Sequence, residues 1–248
     1  MMDFNILARL RAIEGMDKMR AVKSIIESST PDFDYYLMLV LSTIVATLGL
    51  LLDSEATVIG AMLLAPLLAP VLGLSLGLSM SEPSVIARSF AVVLKSSLVA
   101  ILASLVASFI FTLSGKNAEL TDALLSREGA NLMHFMVAAI SGFAVAYAYV
   151  RPKISASLPG VAIAVALIPP LSAVGAGLVM MNFALVSGAL LLYLINVAGI
   201  VFSAMIAFSL MDLTHKRFLA ERLIEKEEER IEKEKEKIEE IKQNNYKQ

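Results

Sequence analysis

The most unusual side chains in this sequence are four prolines set in apolar surroundings. Pro66 and Pro70 stand inside an uncharged stretch, 58–78, that reads V-I-G-A-M-L-L-A-P-L-L-A-P-V-L-G-L-S-L-G-L. Pro169 and Pro170 stand in a second, 159–178, that reads P-G-V-A-I-A-V-A-L-I-P-P-L-S-A-V-G-A-G-L. A proline inside a helix removes one backbone donor and strands a carbonyl near residue i−4. Pro66 would free the carbonyl of Met62, and Pro70 that of Pro66. Pro169 and Pro170 would free those of Val165 and Ala166. In hydrocarbon an unsatisfied polar group is costly, so such a break persists only where protein, water or a ligand meets the freed groups. The exposed half-helix ends would offer partial charges to an ion or a polar solute. Ser75 and Ser172 add hydroxyls nearby, and Asn196 places an amide in a later uncharged stretch. A buried amide there must bond to something. These residues form the candidate substrate pathway. The competing reading makes the prolines simple kinks in packed helices.

Other chemistry is scarce. Gly60, Gly73, Gly77, Gly160, Gly175 and Gly177 read as helix-packing positions, where backbones approach closely. No Asp or Glu falls in the middle of an apolar stretch, which argues against a carboxylate proton relay. His134 and His215 have no partner at metal-ligand spacing, and there is no Cys. No metalloprotease, serine-hydrolase or P-loop motif occurs. The expectation is a protein that is not an enzyme, with no metal and no cofactor.

The elements that must carry these residues are membrane spans. Of 248 residues, 57% are hydrophobic and 18% charged. From Ser157 to Met211 no Asp, Glu, Lys, Arg or His occurs, and a span needs about 20 apolar residues. The predicted fold is all-α: a polytopic membrane protein with six transmembrane helices, 35–52, 56–80, 89–113, 131–150, 157–181 and 183–211, of which the second and fifth are broken. An amphipathic helix over 1–34 precedes them, and a charged helix over 212–248 follows. The tail is either a solvated helix of Glu/Lys pairs or a weak coiled coil; its Glu balances its Lys, so no nucleic acid is expected as partner.

Basic residues cluster on the side of the termini: Arg9, Arg11, Lys18, Arg20 and Lys23, then Arg88, Arg151, Lys153, Lys216 and Arg217. The opposite side has Lys116 and Arg127. The positive-inside rule puts both termini in the cytoplasm. Three spans in each half (35–114 and 131–211) make the halves run in opposite senses, as an inverted repeat with the site near the midplane.

The segments 41–54, L-S-T-I-V-A-T-L-G-L-L-L-D-S, and 58–74 resemble a prokaryotic family of uncharacterised hydrophobic proteins, domain of unknown function 389. So do G-V-A-I-A-V-A-L-I-P-P-L-S-A-V-G (160–175) and N-V-A-G-I (196–200). The resemblance covers roughly 35–210 and implies a multi-pass prokaryotic membrane protein rather than a substrate. Many members carry a larger soluble domain ahead of the spans, where this chain has a short helix. The sequence reading is a channel or transporter for a small solute or monovalent ion in the cell inner membrane. It is expected to contact lipid and to form homo-oligomers, and its analogy to pentameric channels with interrupted helices leans to a pentamer. The alternative is a structural or regulatory membrane protein that binds lipid or a partner protein without transport.

Overall fold

The computed structural model describes residues 13, 15–114, 120–151 and 167–213, with 226, 229, 230, 233, 237 and 238 of the tail. The first half of the predicted fifth span, with Gly160, Val165 and Ala166, lies outside the described residues, as do residues 1–12 and 14 and most of the C-terminal segment. All regular structure among the described residues is helical: α1 (Gly15–Ser28), α2 (Phe33–Leu51), α3 (Glu55–Leu64), α4 (Leu68–Met80), α5 (Pro83–Leu113), α6 (Asp122–Leu125), α7 (Leu132–Val150), α8 (Ile168–Val179) and α9 (Phe183–Leu210). Four of them, α2, α5, α7 and α9, are long and apolar enough to cross a membrane. The pair α3 and α4 passes the same test together but bends by 56° at its break, so the described residues hold four or five candidate spans. This is the pattern of a multi-pass membrane protein. Its outer surface agrees: Phe90, Leu94, Leu98, Leu102 and Val106 form an exposed apolar stripe along α5, a surface suited to hydrocarbon rather than water.

Local chemistry sets the helix starts. Asp32 caps α2 by accepting from Tyr35 N, and Asn131 caps α7 by accepting from His134 N. Each satisfies a donor that the first turn leaves orphaned. Glu82 caps α5 through Ser84 N, with Pro83 at the first helical position, where a missing N–H costs nothing. That helix therefore starts before residue 89, where the apolar pattern begins. At about 46 Å it is longer than the roughly 30 Å of bilayer hydrocarbon.

Contacts define two ends of the bundle. At one end Lys18 Nζ bonds the Asp212 carbonyl (3.4 Å) beside its carboxylate (3.7 Å), joining α1 to the exit of α9. Arg88 bonds Thr30 Oγ1 (3.4 Å), bringing the start of α5 to the start of α2. At the opposite end Thr121 Oγ1 donates to the Leu50 carbonyl (2.7 Å) and Ala123 N to Asp53 Oδ1 (2.8 Å). Both α4 and α8 start in the core: Leu67 and Val71 share one buried cluster with Leu167, Ile168 and Leu171. From there α4 leads to the α5 start at the first end. The α8 helix leads to the α9 start at the second, where Ala173, Val174 and Leu185 pack with Leu124.

Four of the glycines face close neighbours. A Cβ at Gly73, Gly77, Gly175 or Gly177 would crowd Ser89, Ile86, Ser104 or Val186. Gly60 differs: it is exposed, with open space where a Cβ would go. Two further glycines make a close crossing of α7 and α9. Gly142 of α7 lies against Ile200 and Ser203 of α9, and Gly199 of α9 against Phe135 and Ala138 of α7. Hydroxyl pairs tie α5 to its neighbours, Tyr35 with Ser96 (2.9 Å) and Tyr193 with Ser97 (2.6 Å).

Candidate functional site

The break after α3 falls where Pro66 predicts it, but the carbonyl bookkeeping differs. Ala65, the C-cap, turns its N–H to the Met62 carbonyl (3.4 Å), tightening the last turn. This leaves the Ala61 carbonyl without its regular partner, and Ser42 of α2 donates to it at 2.8 Å. Thr43 and Thr47 bond carbonyls of their own helix, at 2.8 and 2.7 Å. Ser42 departs from that local habit because a broken neighbour offers it an acceptor.

Pro70 lies within the first turn of α4, and Pro169 and Pro170 within the first turn of α8. N–H groups at these positions have no intrahelical partner in any helix. Pro70, Pro169 and Pro170 thus begin α4 and α8 at little cost; the Val165 and Ala166 carbonyls lie outside the described residues. Neither Leu67 nor Leu167, the two N-caps, offers a side-chain hydrogen bond to its helix. Ser75 is buried and donates to the Val71 carbonyl (2.9 Å), so it faces its own helix. Ser172 is fully buried; Ser104 of α5 donates to its carbonyl at 2.6 Å. The Ser172 hydroxyl itself has no hydrogen-bond partner among the described residues.

A cavity of about 320 Å³ runs from the second end of the bundle to the start of α8. Glu55, Ser126, Arg127 and His134 line it, with Leu192, Asn196, Pro169 and Pro170. At roughly 30 Å³ per molecule this is space for on the order of ten waters. Of the predicted pathway residues, Pro169, Pro170 and Asn196 meet here; Met62, Pro66, Pro70, Ser75 and Ser172 do not line it. Asn196 is 6% exposed, one turn beyond Leu192 on α9. The polar mouth is the part that sequence reasoning missed. Arg127 grips Glu55 with both terminal nitrogens, at 2.9 and 3.2 Å, and also bonds the Ala123 carbonyl (2.6 Å) and Ser126. His134 Nδ1 accepts from Asn131 N at 3.2 Å, so the neutral ring carries its proton on Nε2.

A family model described as a domain of unknown function (DUF389) matches residues 62–202. This interval runs from the end of α3 to α9 and includes both proline elements and the floor of the cavity. An uncharacterised protein of Methanocaldococcus jannaschii is 33% identical over 186 residues, which cover 73% of this chain and 55% of that protein. The chain thus spans about half the length of this relative. No solved structure matches it. Because the family match covers more than half of its length, the chain belongs to the DUF389 family of domains of unknown function.

Proposed function

We propose that this protein is a membrane channel or transporter for a small solute, whose path passes through the cavity beside the start of α8. The carrying observation is the depth of that cavity: it leads from charged residues at one end to a buried amide and a helix start in the core. Packing kinks alone give no reason for such a space. An inverted repeat is supported by matching parts. The helices α2 and α7 are each 19 residues long, and α4 and α8 are 13 and 12. Leu67 and Leu167, Gly77 and Gly177, Ser81 and Met181, Glu82 and Asn182 recur at one spacing. Glu82 N bonds the Gly77 carbonyl (3.0 Å) and Asn182 N the Gly177 carbonyl (2.9 Å). Ser81 and Met181 both have φ 53°. The two half-helices leaving the core for opposite ends agree with six spans in two opposed halves.

Lys18, Arg20, Lys23 and Arg88 share the first end, while the described base of the second, Arg127, is neutralised by Glu55. That asymmetry supports cytoplasmic termini in a cell membrane. The experiment is flux into proteoliposomes over a panel of small solutes and ions. Accelerated equilibration of at least one is expected. Correctly folded protein that moves none would favour the structural or regulatory alternative.

A further inference from the structure

We infer that the cavity selects small uncharged polar solutes and passes no ion, with Asn196 as its specificity-determining residue; this rests on the transport reading above. The charges at the mouth are spent on each other. Arg127 holds both carboxylate oxygens of Glu55 in a bidentate pair, the geometry that a guanidinium otherwise offers to an entering anion. The pair leaves the mouth with little net charge to draw in either an anion or a cation. Deeper in, the chemistry turns neutral. Leu192, Pro169 and Pro170 form the wall. Two successive prolines in the first turn of α8 delete two amides that an anion at a helix start would use. The helix start is thereby weakened as an anion cradle.

Asn196 supplies the polar side chain at that depth among the described residues that line the cavity. Its amide carries two donors and a carbonyl acceptor, the groups that recognise a neutral polar solute. An ion losing its water there would meet no charged side chain beside Leu192, Asn196, Pro169 and Pro170 among the described residues, a costly transfer. A hydroxyl or amide solute loses far less and regains hydrogen bonds from Asn196. The space suits a molecule the size of urea or glycerol with accompanying water.

The test uses the full chain in phosphatidylethanolamine/phosphatidylglycerol vesicles, with urea and glycerol as neutral probes and potassium chloride as the ionic probe. Urea or glycerol should equilibrate at least about tenfold faster than in protein-free vesicles, with potassium and chloride flux within about twofold of them. Asn196→Leu should reduce the neutral flux by about tenfold, the effect of one lost buried hydrogen bond in the path. Asn196→Gln, which keeps the amide, should retain flux but change the urea-to-glycerol ratio. That ratio keeps the test alive if the leucine variant fails to fold. Potassium or chloride flux without neutral flux would overturn the selectivity and leave transport standing. No flux of any probe would overturn both. An unchanged ratio in the glutamine variant would remove Asn196 from the role.

Discussion

Ser42 shows how one residue supports the broken element. Its hydroxyl completes the Ala61 carbonyl, which the shortened α3 leaves open. Removing a partner from a buried acceptor costs more than the bond itself is worth. Ser42→Ala should therefore destabilise the protein by about 1–3 kcal/mol, read as a lower Tm in detergent. Thr43→Ser, which keeps the self-helical hydroxyl, should change Tm little. Gly175 is a second sensitive position: a Cβ there meets Ser104 Cβ and Oγ at 2.5 Å and the Leu105 backbone nitrogen at 2.8 Å. Gly175→Val should push α8 off α5 and cost about 1–3 kcal/mol, whereas Gly60→Ala, facing open space, should be neutral or slightly stabilising. Pro66 and the Gly77 and Gly177 contacts were legible in the sequence because each acts on its own or the next helix. The Ser42–Ala61 bond was not, because a serine's local back-bond is the usual outcome and only the neighbour's break changes it.

At the scale of elements, the mouth of the cavity depends on docking the segment 121–128 against the α2–α3 turn. Thr121, Ala123 and Arg127 reach Leu50, Asp53 and Glu55. The ion pair is partly open to solvent, Glu55 being 55% exposed at its side chain, so its stability contribution should stay within about 1 kcal/mol and fall with salt. A double-mutant cycle with Arg127→Gln and Glu55→Gln checks this; coupling well above that value would contradict it. Helix content was readable from long apolar runs bounded by caps, as with Asp32 and Asn131. The meeting of Glu55, Arg127 and His134 was not, since each looks like an ordinary loop or cap residue in sequence. Their convergence exists only once α2, α3 and α7 share one end. The roles of Pro70, Pro169 and Pro170 were half legible. Their location was clear, but whether a proline interrupts a helix or begins one depends on where the helix starts.

For the whole molecule, the proposed solute path links the proline-led starts of α4 and α8, the cavity beside the start of α8 and the asymmetry of charge between the ends. Chain direction and charge predict that the cavity mouth faces the non-cytoplasmic side. The sequence contains no Cys, so an introduced one is a clean reporter. Leu192 lines the cavity beside Asn196 without belonging to its polar contacts, so Leu192→Cys places a thiol in the proposed path. The most direct measurement is solute flux through oriented proteoliposomes of this variant, before and after a membrane-impermeant thiol reagent is added from the side opposite the termini. The account predicts that the thiol is labelled from that side and that flux falls to the level of protein-free vesicles. A fully labelled protein whose flux is unchanged would contradict it.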